Sequence, residues 1–295
     1  MTPIVCGTFT FIRFEPGTFL RGALDGDPHQ TTLETPLPTA ITRPFCLQVT
    51  PVTVGQYHEF VSRTRYPSQH RIEVWDGSQW IEGPTFQEAN GKGDLYPVVG
   101  VSYHDALAFS HWASAETGIE LRLPTEAEFE YAAKFQCGCR EYCRPALALK
   151  GTDAVRPEGS NLPGRLAPVD RAPVSASGLR GMHGTVWQWC SDWFFHYGPD
   201  EHTDPSGPTA MPPYAPWRGE QWPPGRVIRG GSFSYPYFHS RCSNRHYSKE
   251  GDRNYNLGFR LAFSAPAARA AIGHVAGAPV GVGDSLTGGS PKSGR

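Results

Sequence analysis

Apolar residues recur at helical spacing soon after Thr53. Tyr57, Phe60 and Val61 follow one another at intervals of three residues and one, which places all three on one face of an α-helix. Threonine is a favourable N-cap because its side-chain oxygen accepts a free backbone N–H of the first turn. The pattern therefore predicts a helix that begins after Thr53.

Capping boxes predict two further helices. In a capping box the N-cap hydroxyl accepts the backbone N–H of an acidic residue three positions later, and the carboxylate of that residue accepts the N–H of the N-cap residue. The pairs are Ser102 with Asp105 and Thr125 with Glu128. The helix that begins after Ser102 has a buried apolar stripe of Ala106, Phe109 and Ala113, and Gly118 is its predicted end. Both segments are predicted helices.

Strand-like patterns occupy much of the remaining chain. Residues 9–22 alternate loosely around Pro16-Gly17, which predicts a hairpin. Shorter strands are predicted over 45–49, 226–232 and 257–263. Residues 65–97 are predicted to be irregular, and residues 145–230 mostly loop, because Pro and Trp interrupt every regular pattern there.

Composition supports a loop-rich α+β protein. The chain has 33 Gly and 28 Pro among 295 residues, close to twice average usage, which excludes long helices and helical repeats. With 39% hydrophobic residues and eight Trp it can still bury a core. Residues 265–295 contain no aromatic residue, so we predict a domain over 1–264 and a flexible Ala/Gly-rich tail over 265–295.

Charge and targeting signals exclude several classes of partner. Lys and Arg number 27 against 28 Asp and Glu, without a basic run, so nucleic-acid binding is not expected. No signal peptide is apparent, and no apolar run approaches the ~20 residues of a membrane span. The seven Cys are interpreted as mostly reduced thiols, and the predicted location is the cytoplasm, with later export left open.

Short motifs stand in a fixed order between residues 9 and 263. They are Phe14-Glu-Pro-Gly-Thr-Phe, Val49-Thr-Pro-Val-Thr-Val-Gly-Gln-Tyr, Pro97-Val-Val-Gly-Val-Ser, Leu121-Arg-Leu-Pro-Thr-Glu-Ala-Glu, Gly184-Thr-Val-Trp-Gln-Trp, Arg229-Gly-Gly-Ser-Phe and Gly258-Phe-Arg-Leu. This series resembles the formylglycine-generating-enzyme (sulfatase-modifying factor) family. The resemblance implies a C-type-lectin-like fold, α+β in class, with few short helices and small antiparallel sheets.

The resemblance also implies a copper oxidase that converts a substrate cysteine to formylglycine. In the family, two cysteines just downstream of Gly-Gly-Ser hold the copper. Here Tyr235 and Ser240 stand at those positions, and the nearest thiol is Cys242. Because Cu(I) requires soft thiolate ligands, we do not expect the copper oxidase, and no catalytic residue is predicted.

Calcium is the family's other metal, and it is not predicted for this chain. The second family site uses Asn and Glu oxygens where this chain has Gly181 and Gln188, which removes hard anionic oxygen. Asn161-Leu162 resembles the first site, but the acidic loop after it is missing. Calcium therefore remains an alternative, and no cofactor is predicted.

Two other metal sites are alternatives. Cys137, Cys139 and Cys143 could offer three thiolates to zinc, but the spacing lacks an obvious fourth ligand, and free loop thiols are favoured. The eleven His could furnish an iron site with a carboxylate. Copper or iron enters only under an alternative function, a metal-dependent oxidoreductase acting on a thiol or protein substrate.

Residues 233–247 have the composition of a binding surface. Tyr and Phe alternate there with Ser and His, which resembles an antibody paratope because Tyr gives a large contact area at low rotamer cost. The predicted ligand-binding residues are Phe233, Ser234, Tyr235, Tyr237, Phe238, His239, Ser240, His246, Tyr247 and Tyr255. The alternative is that the aromatic rings pack beneath the loop.

The predicted function is a non-catalytic protein that binds an unknown protein or surface ligand. A branch of the resembled fold comprises the variable proteins of diversity-generating retroelements, in which the stretch between Gly-Gly-Ser and Gly-Phe-Arg is rewritten. That resemblance implies diversification over 233–256. Two departures are Phe233 in place of the usual Trp and the residues that follow position 264.

Overall fold

A computed structural model describes residues 2–24, 26–137, 143–158, 163–198, 202–217 and 220–266. The fold is α+β, as expected, with short helices and small sheets. The helices are α1 (Val54–Thr64), α2 (Phe86–Asn90), α3 (Tyr103–Thr117), α4 (Glu126–Lys134) and α5 (Arg144–Leu147), with a 3₁₀ helix at Tyr237–Ser240.

Two four-stranded sheets form the centre of the molecule. The first has the order β1 (Ile4–Cys6), β2 (Phe9–Phe14), β5 (Phe45–Gln48) and β14 (Ala262–Ser264). The second has the order β12 (Arg245–Ser248), β11 (Arg226–Arg229), β8 (Trp187–Trp193) and β13 (Leu257–Gly258). Within the described residues, the other strands form three antiparallel pairs: β3 (Gly17–Arg21) with β4 (Leu37–Ile41), β6 (Arg71–Trp75) with β7 (Trp80–Thr85), and β9 (Ala215–Trp217) with β10 (Glu220–Trp222).

The three predicted helices are confirmed, and their N-terminal caps form as the sequence indicates. The Ser102 hydroxyl accepts the backbone N–H of Asp105, whose carboxylate in turn accepts the N–H of Ser102 at 2.8 Å. Thr125 and Glu128 make the same reciprocal pair. Gly118 ends α3 in the left-handed conformation.

The predicted hairpin over residues 9–22 is wrong. β2 and β3 flank Pro16 but pair with different partners, β2 with β1 and β5, and β3 with β4. The predicted strand over 257–263 likewise divides between the two sheets, β13 beside β8 and β14 beside β5. Local alternation predicts an extended backbone, whereas tertiary packing decides which strand is its neighbour.

Strands also form in two regions that were predicted to be irregular or loop. The hairpin β6–β7 lies within residues 65–97, and β8 lies within residues 145–230. β8 is buried over nearly its whole length, so it lacks the polar alternation by which a half-exposed strand is recognised. Trp187 and Trp189 of β8 are core residues, 2% and 0% exposed, and their large rings pack the interior of this loop-rich region.

The C-terminal end of the described chain is anchored to the first sheet. Ala265 is buried, and its N–H donates to the Pro44 carbonyl at 2.9 Å. Residues 267–295 of the predicted tail lie outside the described residues. None of the helices in the described ranges is both long and apolar enough to span a bilayer.

Candidate functional site

A pair of glycines turns the chain from β11 into the segment 233–247. Gly230 and Gly231 have φ values of +96° and +69°, which side chains with a Cβ rarely adopt. A Cβ on Gly231 would also lie 2.6 Å from the carbonyl oxygen of His239. The loop therefore folds back against its own glycine turn, and it returns to the sheet as β12.

Buried ion pairs hold the base of this loop. Arg245 donates from Nε and Nη2 to the Glu126 carboxylate at 2.5 and 2.7 Å. Arg241 donates to Asp27 at 2.8 Å and to Glu34 at 2.6 Å. Burial alone would lower the pKa of the Arg245 guanidinium, but the Glu126 charge outweighs it and raises that pKa. The arginines of this segment thus serve folding and leave the aromatic and histidine side chains as candidates for binding.

The ten predicted binding residues differ in exposure. Six are half-buried: Tyr235, Phe238 and His239 in the loop, His246 and Tyr247 in β12, and Tyr255 beyond β12. The other four are buried, namely Phe233, Ser234, Tyr237 and Ser240, and for the two rings among them this fits the alternative of packing beneath the loop. Phe233 packs with Val99, Leu166 and Val186, and Tyr237 packs with Leu149 and Val155.

The structure brings most of the predicted rings into one connected group. The Tyr235 ring centroid lies 4.9 Å from that of His239 and 5.6 Å from that of Trp187. His246 packs on the same Trp187 ring at 5.4 Å. Phe238 extends the group, with its ring 4.7 Å from His239. We call the half-buried side chains Tyr235, Phe238, His239, His246 and Tyr247 the ring surface.

Phe233 and Tyr255 form a second aromatic pair beside a cavity. Their ring centroids are 5.8 Å apart, and Phe233 lines a cavity of about 540 Å³ with Lys92, Tyr96, Asp153 and Arg165 among its other walls. Tyr255 in turn contacts Trp80, which contacts Trp75. These tryptophans are 39% and 47% exposed. We call Tyr255, Trp80 and Trp75 the aromatic ridge. The signal for it in the sequence was the presence of two Trp in a stretch without a regular pattern.

The residues at the family's copper positions do not fit that metal. Tyr235 and Ser240 provide no sulfur, and Ser240 is fully buried. The Sγ of Cys242 lies 3.1 Å from the Sγ of Cys143, at the inner side of the loop. A soft Cu(I) ion would find no thiolate pair at the predicted positions.

The residues at the second calcium position do not fit a hard cation either. The Oε1 atom of Gln188 accepts a hydrogen bond from the Arg260 guanidinium at 2.5 Å, and its Nε2 donates to the Gly181 carbonyl at 2.9 Å. The amide oxygen that would bind the cation therefore already accepts a hydrogen bond from a positively charged guanidinium. Burial lowers the pKa of Arg260 to about 9. Asn161 and Leu162, which resemble the first calcium site, lie outside the described residues.

The predicted three-cysteine motif is divided in the structure. Cys139 lies outside the described residues. The thiol of Cys143 is buried and in contact with the thiol of Cys242, rather than exposed on a surface loop. His183 joins this pair, so that one donor atom from each of the three side chains lies within 4.8 Å of the others. The sequence could not show this cluster because its members lie 40 or more positions apart.

Comparison with known proteins places the chain in a family. The model of the sulfatase-modifying factor enzyme 1-like domain matches residues 8–265. A formylglycine-generating enzyme of Streptomyces coelicolor is 30% identical over 85% of this chain and 88% of its own length. The serine/threonine-protein kinase pkn1 of Chlamydia caviae is 29% identical over 84% of this chain, which spans 37% of that protein.

Two solved structures share the fold at lower identity. PvdO from Pseudomonas aeruginosa is 23% identical, with a TM-score of 0.64 over 89% of this chain and 100% of its own. Treponema denticola variable protein 1 is 20% identical, with a TM-score of 0.62 over 90% of this chain and 99% of its own. The match over residues 8–265 and the relative from Streptomyces coelicolor show that the chain belongs to the family of sulfatase-modifying factor enzyme 1-like domains.

Proposed function

We propose that this chain is a non-catalytic binding protein whose ring surface receives a segment of another protein. The observation that carries the proposal is the connected group of half-buried rings around Tyr235, at the place where the family resemblance puts the catalytic cysteines. Rings already packed against Trp187 and against one another lose little side-chain freedom on binding. Tyrosine and histidine also combine apolar area with hydrogen-bonding groups.

The neighbouring cavity provides a second contact region for the same ligand. Its wall is joined to the loop, because the N–H of Gly164 donates to the Phe233 carbonyl at 2.7 Å and that of Arg156 donates to the Tyr235 carbonyl at 3.1 Å. Lys92 and Arg165 outnumber Asp153 in the lining. The cavity therefore favours a side chain of the ligand that carries an apolar body and an acidic end.

A random peptide library displayed on phage tests this function and requires no candidate ligand. Peptides enriched on the full chain are synthesised with a fluorophore, and their affinity is measured by polarisation. Tyr235→Ala should weaken binding at least about 10-fold, which is typical for an aromatic contact at an interface centre. Trp222→Ala, which removes a 45% exposed ring on β10, is the matched control and should leave affinity unchanged.

Two results would overturn the proposal that the ring surface binds a peptide. If no peptide is enriched, or if the enriched peptides bind Tyr235→Ala as well as the parent chain, then the ring surface is not the binding site. Far-UV circular dichroism of each variant separates loss of contact from loss of folding. A Tyr235→Ala chain that no longer folds would favour a purely structural role, in which case His246→Ala provides the second test.

Diversification of residues 233–256 is part of the same proposal. The structure limits its extent, because Phe233, Ser234, Tyr237 and Ser240 are buried and substitutions there would disturb packing. Variation should therefore concentrate at the half-buried positions. Deep sequencing of the gene from many clonal descendants would show this pattern, and a uniform sequence over 233–256 would contradict it. Location in the cytoplasm stays a prediction.

An oxidoreductase function is the second candidate. The observation that favours it is the relative from Streptomyces coelicolor, named as a formylglycine-generating enzyme, at 30% identity over most of both chains. Its test is the oxygen consumption of the gently purified chain with a cysteine-containing peptide, together with its copper and iron content. Turnover with stoichiometric copper or iron would replace the binding proposal. Absence of turnover would remove this candidate.

A further inference from the structure

Three potential metal ligands converge from separate loops at a place distinct from the ring surface. Cys143 lies directly before α5, His183 lies in the loop before β8, and Cys242 follows the 3₁₀ helix. All three side chains are buried, and their donor atoms lie within 4.8 Å of one another. The two sulfur atoms are 3.1 Å apart. Buried cysteines alone often serve as small apolar residues, so the histidine decides the interpretation.

His183 has a buried nitrogen whose lone pair is not used by the described part of the chain. The residue is 5% exposed, and its Nδ1 lies 2.8 Å from the Ser240 carbonyl oxygen. A carbonyl only accepts, so Nδ1 carries the proton and Nε2 carries the free lone pair. Among the described residues, Nε2 is buried without a hydrogen-bond partner. Metal-ligating histidines show this arrangement, in which one ring nitrogen donates to a carbonyl and the other binds the ion.

The two cysteines complete a donor set suited to zinc. The backbone N–H of Cys242 donates to the Sγ of Cys143 at 3.1 Å, a contact that stabilises negative charge on sulfur. In a tetrahedral zinc site, with bonds of about 2.0 Å to nitrogen and 2.3 Å to sulfur, the ligand atoms stand about 3.3–3.8 Å apart, and two sulfur ligands about 3.8 Å apart. The two sulfur atoms, now 3.1 Å apart, would therefore separate by about 0.7 Å when the ion binds. We propose that Cys143, Cys242 and His183 bind one Zn²⁺ ion.

The fourth position of this ion would face a cavity. A space of about 220 Å³ is lined by Cys143, Cys242 and Cys137, with Lys134 and Asp27 among its polar walls. Three protein ligands and one position open to a small molecule are the arrangement of zinc sites that exchange a ligand. The ion would also link three loops that are distant from one another in the sequence.

Titration with Co²⁺ alone tests the site by its spectrum. The full chain is reduced, freed of metal with a chelator and titrated; one equivalent should produce thiolate-to-cobalt charge-transfer absorption that Zn²⁺ abolishes. Cys242→Ser and His183→Gln should each weaken Co²⁺ binding at least about 100-fold. Cys46→Ala, which alters a buried thiol in β5, should leave it unchanged.

Thermal unfolding gives a second readout. A chelator should lower the unfolding midpoint of the zinc-loaded chain but leave that of Cys242→Ser where it was. The proposal is overturned if the reduced parent chain binds no Co²⁺ or if the absorption survives in both variants. It is also overturned if freshly purified protein contains a Cys143–Cys242 disulfide and no metal. None of these outcomes depends on whether the ring surface binds a peptide.

Discussion

Glu126 at the start of α4 and Arg245 in β12 form a two-pronged ion pair inside the protein. Their side chains are 3% and 2% exposed, and Arg245 donates to both carboxylate oxygens. The pair joins the confirmed capping-box helix to the strand that closes the loop at 233–247. Because a buried charge without its partner is costly, this contact ties the position of the candidate site to the stability of the whole fold.

Glu126→Gln should therefore destabilise the protein strongly. It removes the direct ion-pair partner of the buried Arg245 guanidinium, a change that typically costs about 3–5 kcal/mol in the free energy of unfolding. Urea denaturation followed by tryptophan fluorescence measures the change. Glu116→Gln is the matched control, since Glu116 pairs with Arg63 at the surface, with side chains 41% and 52% exposed, and its loss should cost less than about 1 kcal/mol.

The glycine turn before the loop gives a second prediction with an internal control. Gly118 and Gly231 share a φ of +69°. A Cβ added to Gly118 would have no atom of the described chain within 4 Å. A Cβ added to Gly231 would lie 2.6 Å from the backbone carbonyl oxygen of His239. Gly118→Ala should cost about 1 kcal/mol from backbone strain. Gly231→Ala should cost clearly more, because the loop must move. Equal losses in urea denaturation would show that the loop does not pack on its turn.

Asp192 in β8 should make stability depend on pH. Burial, and then the nearby Glu126 carboxylate, raise the pKa of Asp192 to about 7, whereas it is about 3.9 in an unfolded chain. Between about pH 4 and pH 7, Asp192 is therefore protonated in the folded chain and ionised in the unfolded chain. The stabilising contribution is complete below about pH 4 and is lost as the pH rises through about 7.

Asp192→Asn keeps an oxygen that can accept from the Glu126 N–H and the Ser191 hydroxyl but removes the titration. Relative to the parent chain, the variant should gain stability between about pH 5 and pH 8, by at most about 3 kcal/mol. Urea denaturation at both pH values measures this difference. A parent and a variant whose stabilities change in parallel would show that Asp192 is ionised throughout.

Local signals predicted α1, α3 and α4, but they did not predict the short helices α2 and α5 or the neighbours of each strand. The capping box of Ser102 and Asp105 acts within one turn, so the sequence alone was sufficient. Residues 9–22 showed strand-like alternation, but the neighbours of β2 and β3 come from distant segments. The rings of 233–247 were identifiable by composition, but their division into buried and half-buried sets depends on the glycine turn and on Trp187.

The exchange of amide hydrogens in the presence of a selected peptide tests the central proposal most directly. Binding at the ring surface predicts slowed exchange in residues 233–247, with slowing at Trp80–Thr85 if the ligand also follows the aromatic ridge. Exchange at Glu220–Trp222 should be unchanged. Protection confined to segments outside 233–247 would contradict the proposed function.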